Sequence, residues 1–143
     1  MGLLRTLFLA REIVSRTGVV HFRRYRLLKT PILRLYIHQI LESDKDGDLH
    51  DHPWNFVSII LKGHYVERRP EGLLTQCLPG TIFHRKGTDV HCIDEVIKPT
   101  WTFVIAYGKR REWGYQTEYG WVDNKTYRRI KNASRRITQE SPK

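Results

Sequence analysis

Three histidines have the residue type and the setting of metal ligands. His50 and His52 stand two positions apart in one short phrase, and His91 follows in a later, turn-rich part of the chain. Side chains at i and i+2 of an extended segment point to the same face, so a strand over residues 50–60 would turn both imidazoles toward one side. A third imidazole from another strand would then complete a site for iron, zinc, copper or nickel.

The same alternation predicts the surroundings of this site. Phe56 and Ile60 share the even-numbered face with the two histidines and would form the floor of their cavity. Asp51 points the other way and cannot join the same metal ion without a bulge. The remaining histidines, His21, His38, His64 and His84, are expected to be hydrogen-bonded core or surface residues rather than metal ligands.

Tyr36 and His38 lie on one face of a neighbouring predicted strand. They are candidate catalytic acid–base groups that act near the metal. The alternative interpretation is a polar outer face of that strand.

Aromatic residues supply candidate walls for a substrate pocket. Trp54 and Phe56 follow the histidine pair, and Trp101 and Phe103 lie on the bulkier face of a predicted strand over 100–107. That odd-numbered face is expected to be the buried one. The competing interpretation is that all four aromatics simply fill the core.

The elements that must position these residues are mostly short strands. Helical spacing of apolar residues predicts a helix over 2–16. Within the basic C-terminal tail 124–143, the segment 124–136 is predicted to form a short helix that Asn124 could cap. Between them, segments rich in β-branched and aromatic residues and punctuated by Gly and Pro predict an all-β sandwich or barrel within 19–123. One domain over 1–143 is expected. The predicted strands cover 19–29, 32–41, 54–62, 64–69, 73–78, 81–85, 91–97 and 100–107.

The net charge of +10 is unevenly distributed. Residues 1–34 hold eight Lys or Arg and one acid, residues 124–143 hold seven and one, and the middle carries ten basic and thirteen acidic residues. This distribution argues against a central site built around phosphates and leaves room for a basic surface that meets nucleic acid. The candidate nucleic-acid surface comprises Arg23, Arg24, Arg26, Arg128 and Arg129.

Composition also suggests the setting of the protein. Two cysteines, Cys77 and Cys92, do not form a disulfide framework, so a reducing compartment is the simpler expectation. Apolar stretches are too short to cross a membrane, and no membrane association is expected. These features favour the cytoplasm. A homodimer is a further expectation.

The histidine phrase resembles the first motif of the cupin superfamily, in which a His-x-His pair precedes a Glu and a Gly. His50, His52 and Gly63 match this motif, whereas Phe56 occupies the position of the Glu. The Pro79-Gly80 turn and the segment from Gly87 to His91 resemble the second motif. The stretches Arg111–Tyr115 and Tyr119–Val122 also look like those of small uncharacterised cupin proteins of bacteria and phages.

The resemblance implies a double-stranded β-helix, the jelly-roll barrel of cupins, and a metal site of His50, His52 and His91. Cupins without the Glu are similar to thiol dioxygenases, which hold Fe(II) with three histidines. The implied function is Fe(II)-dependent oxygenation of a small or end-group substrate that chelates iron. Zinc with hydrolytic or lyase chemistry remains open, as do nickel and manganese. A nucleic-acid-associated or structural protein without turnover is the alternative from another class.

Overall fold

The computed structural model describes residues 8–14, 17–44 and 47–140, and most of them lie in antiparallel strands. The all-β class with a C-terminal helix is confirmed. Strands β2, β3, β6 and β7 lie close to their predicted bounds. In chain order the elements are β1 (Leu9–Val14), β2 (Val20–Lys29), β3 (Leu33–Ile40), β4 (Leu49–His50), β5 (Asn55–Arg68), β6 (Leu74–Cys77), β7 (Ile82–Arg85), β8 (Cys92–Tyr107), β9 (Gly114–Thr117), β10 (Gly120–Asp123) and α1 (Asn124–Glu140).

The strands form two sheets. The larger has the order β1-β2-β3-β8-β5-β6, with β7 also paired to β5, and the smaller has the order β10-β9-β4. Neighbours such as β3 and β8 are far apart in the sequence, so long connections carry the chain back across itself, as in a jelly roll. The metal-ligand candidates lie where β4 of the smaller sheet approaches the start of β8.

Two long strands bend together in the larger sheet. The sequence predicted breaks at Gly63 and Pro99, but β5 and β8 each continue through these positions, with register shifts around Gly63. Gly63 has φ +98°, and a Cβ there would lie 2.3 Å from the carbonyl oxygen of Pro99. Proline is tolerated at such an irregular position because no ladder hydrogen bond from its nitrogen is required. The predicted turn residues therefore mark a bend within strands rather than their ends.

The predicted N-terminal helix over 2–16 is wrong for residues 9–14, which form a strand. Residues 9–14 form β1, which pairs with β2 so that Leu9 lies opposite Tyr25 and Ile13 opposite Phe22. The open edge of β2 offers backbone hydrogen bonds and side-chain contacts, and this tertiary pairing overrides the local helical periodicity. Residues 1–7, 15 and 16 of the predicted helix lie outside the described residues.

The buried face of β8 is the even-numbered one, which corrects the expected parity. Thr100 and Thr102 are almost fully buried, and Val104 and Ala106 are 6% and 4% exposed. The bulkier odd-numbered residues lie on the opposite face and are only half-buried, where Trp101 stacks on Tyr25 at 5.9 Å between ring centroids. The prediction took the bulkier face of β8 as the buried one. Both faces of β8 are covered, so side-chain size does not identify the more deeply buried face.

Helix α1 begins after a cap that the sequence assigned to the wrong residue. The Oδ1 atom of Asp123 accepts hydrogen bonds of 3.0 Å from the backbone N–H groups of Lys125 and Thr126. Asn124 instead donates from Nδ2 to the Trp113 carbonyl. These hydrogen bonds to Thr126 and Lys125 lower the pKa of Asp123. None of the helices in the described part of the chain is long and apolar enough to span a membrane.

Candidate metal centre

The three candidate ligands converge in the structure. One side-chain nitrogen from each of His50, His52 and His91 lies within 4.8 Å of the others. The Nε2 atoms of His52 and His91 are 2.7 Å apart. The backbones of His50 and His91 are also joined by two reciprocal hydrogen bonds, with N to O distances of 2.9 and 3.0 Å. This bridge fixes the spacing between two of the imidazoles independently of any ion.

The segment that carries the histidine pair differs from the predicted strand over 50–60. β4 ends at His50, and His52 lies in the connection to β5. The side chains still diverge as alternation predicts, because Asp51 points away from the cluster. Its buried carboxylate accepts hydrogen bonds from the Gly114 N–H at 2.6 Å, from Trp121 Nε1 at 3.0 Å and from Arg111 Nη1 at 2.9 Å. Asp51 therefore anchors the connection from behind and holds the two imidazoles inward.

A carboxylate that sequence reasoning missed orients the third histidine. Glu67 of β5 is 2% exposed and bonds to Nδ1 of His91 with one oxygen. Its other oxygen accepts a 2.7 Å hydrogen bond from Arg85 Nη2. Burial opposes ionisation of Glu67, but the bonds to His91 and Arg85 outweigh it, and the pKa of Glu67 is lowered. An ionised Glu67 holds the proton of His91 on Nδ1 and leaves Nε2 free as a ligand atom.

The electrostatics of the cluster favour uncharged imidazoles at His50 and His52. Burial, followed by the proximity of His91 and His50, lowers the pKa of His52 well below its ordinary value. Burial and His91 also lower the pKa of His50. Neutral imidazole is the form that binds a metal ion, so these two histidines release few protons when an ion binds at neutral pH.

This donor set fits a divalent transition metal. Ligand nitrogens about 2.1 Å from an ion at right angles lie about 3 Å apart, which is close to the observed separation of His52 and His91. Among the described residues, the group contains three histidines and no carboxylate. The Asp44 carboxylate lies 4.0 Å from Nδ1 of His50 and is not part of the group. A bound divalent ion would keep its full charge and open coordination positions.

Aromatic rings close the cluster on two sides. The Phe56 ring lies 4.8 Å from the His52 ring and 6.2 Å from the His91 ring, measured between centroids. The Tyr115 ring lies 5.8 Å from that of His50 and stacks at 3.8 Å on Tyr127 of α1. The sequence identified Phe56 as a wall, but it missed the two tyrosines, which belong to elements distant in the chain.

The other predicted site residues are distributed over two faces. Trp54 packs with Phe56 against a buried group of Tyr36, Val104 and Ala106. Trp101 and Phe103 lie on the opposite face of β8 and do not reach this wall.

The two candidate acid–base groups lie on the inner face of β3, not on a polar outer face. His38 accepts a 3.0 Å hydrogen bond from Arg24 Nε at its own Nε2. Burial, then the charges of Arg24 and Arg11, lower the pKa of His38 well below its ordinary value. The tyrosine, Tyr36, lies beneath the Arg24 guanidinium, whose carbon is 4.8 Å from the ring centroid. Both residues thus support an arginine rather than join the three-histidine group.

The residues of the candidate nucleic-acid surface are divided between β2 and α1. Arg23 lies on the outer face of β2, where it pairs with Glu12 at 2.6 Å. Arg24 and Arg26 line a cavity on the inner face. Arg128 and Arg129 are exposed on α1. Nucleic-acid binding by these residues stays a prediction.

Sequence comparison finds no relatives: neither a protein-family model nor a curated protein matches the chain. Solved structures do match. The Fe(II) form of HppE superposes with a TM-score of 0.56 at 14% identity, over 68% of this chain and 56% of that one. The DMSP lyase DddQ from Ruegeria pomeroyi DSS-3 gives 0.54 at 17%, over 69% and 56%. The polyketide cyclase RemF from Streptomyces resistomycificus gives 0.57 at 16%, over 76% and 80%.

These structural neighbours are cupin-type proteins. The match spans little more than half the length of HppE and of DddQ. At such low identity the likeness concerns the fold, and the resemblance to cupins stated from the sequence is confirmed at that level.

Proposed function

We propose that this cupin-fold protein is an Fe(II)-dependent oxygenase that acts on a small or end-group substrate able to chelate iron. The observation that carries the proposal is the group of three imidazoles without a carboxylate among the described residues. Three neutral ligands leave the charge of a divalent ion uncompensated, which favours direct binding of an anionic chelating group. The Fe(II) form of HppE, which has a similar fold, adds support for iron.

The residues around the group suit this chemistry. Bound Fe(II) would supply a Lewis acid and a source of electrons for O2. Phe56 presents an apolar ring where a carboxylate ligand would stand in most cupins, so it leaves coordination positions to the substrate and excludes water. Glu67 fixes the ring orientation of His91, and Asp51 holds His50 and His52 from the rear. Each of these contacts organises the donor atoms before any ion binds.

The test is metal loading followed by a probe for open coordination positions. Protein purified without a histidine tag is expected to carry about one iron per chain, or to take it up anaerobically. Nitric oxide added to the Fe(II) protein should give a high-spin electron paramagnetic resonance signal that changes when a chelating substrate is present.

His52→Ala supplies the variant for this experiment, because losing one of three donors should remove most of the iron. His84→Ala, which removes an exposed histidine, is the matched control and should load normally. A protein that cannot be loaded with iron contradicts the proposal. Tight zinc binding that excludes iron and shows no open position would favour a structural role.

A further inference from the structure

A half-open cavity of 310 Å³ lies on the inner face of the larger sheet, and its lining is strongly basic. Six of its nine lining residues are Arg or Lys and none is acidic. Within residues 8–14, 17–44 and 47–140, none of the six forms an ion pair with a carboxylate. The lining comprises Ala10, Arg11, Arg24, Arg26, Lys29, Arg34, Tyr36, Trp54 and Arg110.

Two of the arginines are built into the floor of the cavity. Arg34 is only 8% exposed, and its guanidinium lies 4.2 Å above the centre of the Trp54 ring. Its Nη1 donates one long hydrogen bond, of 3.5 Å, to the Pro31 carbonyl oxygen. Most of its five N–H donors therefore have no acceptor in the described protein.

Arg24 is held in a similar way. It lies over Tyr36 and donates through Nε to the neutral His38. Burial is the largest cause that lowers the pKa of Arg24, to about 10. Aromatic faces and a neutral imidazole thus position both guanidinium groups without neutralising their charge. Burying cations in this way is costly unless an anion joins them.

The cavity and the three-histidine group share the inner face of the sheet. Strand register places Arg34 opposite Ala106, and Ala106 opposite Phe56. Directly paired residues of antiparallel strands point to the same side, and two strand spacings amount to about 10 Å. Phe56 in turn contacts the ring of His52. A small molecule anchored in the cavity can therefore extend past Trp54 and Phe56 toward the histidines.

We propose that this cavity binds the phosphate or diphosphate group of a small phosphorylated substrate, whose other end reaches the three-histidine centre. The proposal rests on the proposed function and specifies its substrate class. Guanidinium groups match the oxygens of a phosphate with paired hydrogen bonds, and several together suit an anion of more than one charge. The volume is at the lower end of small-molecule sites and too small for a duplex.

Pyrophosphate binding to metal-free protein, measured by calorimetry in the presence of excess chelator, tests the site separately from the metal. The wild type is expected to bind about one pyrophosphate per chain. Arg34→Gln and Arg24→Gln should each weaken binding by about tenfold or more, since each removes charged hydrogen bonds. Arg136→Gln removes an exposed arginine farther along α1 and should leave binding within about twofold.

Arg34→Lys addresses the risk that a variant fails to fold, because it keeps the charge and loses the planar fork. It should bind pyrophosphate more weakly than the wild type with an unchanged circular dichroism spectrum. Wild-type protein that does not bind pyrophosphate, or binding that Arg34→Lys and Arg24→Gln leave unchanged, overturns the cavity assignment.

A second arm distinguishes the source of the phosphate. A single-stranded oligonucleotide with a 5′-phosphate is compared with its 5′-hydroxyl counterpart. If the phosphorylated strand binds more tightly than pyrophosphate and depends on Arg34, the cavity is a nucleic-acid end site and the small-molecule proposal is wrong. Protein that binds iron but not pyrophosphate overturns this inference alone, whereas protein that binds pyrophosphate but not iron overturns the proposed metal centre.

Discussion

Phe56 decides how many ligands the protein itself can offer to an ion. Its ring contacts two of the three imidazoles and occupies the place where the cupin motif has a carboxylate. A phenyl ring there cannot coordinate, and it replaces a charged ligand by an apolar wall. The open positions and the uncompensated charge on which the proposed function depends both follow from this one residue.

Replacing Phe56 by Glu should therefore add a fourth ligand. Phe56→Glu is expected to tighten divalent-metal binding by on the order of tenfold or more, because a carboxylate supplies both a donor atom and a neutralising charge. It should also weaken the response of the nitric oxide signal to chelating substrates. Metal affinity is measured by competition with a chromogenic chelator.

Phe56→Gln is the matched control, since it has nearly the same shape as Glu without the charge. It should not reproduce the gain in affinity. Equal affinity and equal spectra for Phe56→Glu and the wild type would show that position 56 does not correspond to the ligand position of cupins.

The residues that sequence reasoning could identify are those whose chemistry is visible locally. His50 and His52 stand in one phrase, and their common direction follows from alternation along an extended chain. Glu67 gave no such signal, because its contact with His91 arises only when β5 and β8 pair. The one local signal is that Glu67, a charged residue, directly follows Tyr65 and Val66, which are both buried.

At the scale of elements, the bend shared by β5 and β8 connects the core to the metal centre. Before the bend β5 carries Phe56, and after it β5 carries Glu67. Both residues reach the histidine cluster from the same strand. The bend thus brings two distant parts of one strand to the cluster.

Gly63 makes this bend, and Gly63→Ala should be strongly destabilising. A Cβ would meet the Pro99 carbonyl oxygen at 2.3 Å and the Thr100 Cα at 2.5 Å, both backbone atoms, in a left-handed conformation. We expect a loss of about 2–4 kcal/mol in the free energy of unfolding, measured by urea denaturation.

The control is Gly72→Ala, because Gly72 also has a positive φ, of +73°, but no atom within 4 Å of its Cβ position. It should lose only about 1 kcal/mol, the cost of the left-handed conformation. Equal losses for the two variants would show that the contact between β5 and β8 does not constrain the bend.

The elements that were predicted well are those with local signals of their own. β2 and β3 have alternating or β-branched runs bounded by turn residues, and the observed bounds lie within one residue of the predicted ones. β1 was missed because its partner strand determines it, and the long strands were divided because Gly63 and Pro99 are usually turn signals. Pairing between distant segments decided both cases.

At the scale of the whole molecule, the distribution of charge along the sequence differs from its distribution in the folded structure. Five of the described basic residues in the N-terminal segment line the cavity next to the site, from strands β1, β2 and β3: Arg11, Arg24, Arg26, Lys29 and Arg34. Alternation along β2 sends Arg24 and Arg26 inward and Arg23 outward. The charge count that argued against a phosphate site in the central region therefore does not describe the cavity, because most of its basic lining comes from the N-terminal segment.

Buried histidines make the stability of the whole metal-free molecule sensitive to acid. The pKa of His38 is lowered in the folded state. His38 therefore takes up a proton near pH 6.5 in the unfolded chain but stays neutral at that pH in the folded protein. Stability is then fully present above about pH 6.5 and is lost as the pH falls below it, by at most about 1.4 kcal/mol per pH unit for one proton. The lowered pKa values of His50 and His52 also reduce stability as the pH falls. The lowered pKa of Glu67 causes a further loss of stability at lower pH, where its carboxylate becomes protonated.

Urea unfolding between pH 7.5 and 5, with excess chelator, measures this dependence. His38→Gln can still accept the hydrogen bond of Arg24 but has no proton to take up on unfolding. It should reduce the slope by up to about one proton, whereas His84→Gln, at an exposed position, should leave the slope unchanged. His38 is surrounded by Arg24, Phe22, Tyr36 and its strand partner Thr102. None of these described neighbours is a carboxylate, so none of them favours the charged imidazole. A wild-type stability that rises as the pH falls from 7 to 5 would contradict the burial of a neutral His38 beneath the basic cavity.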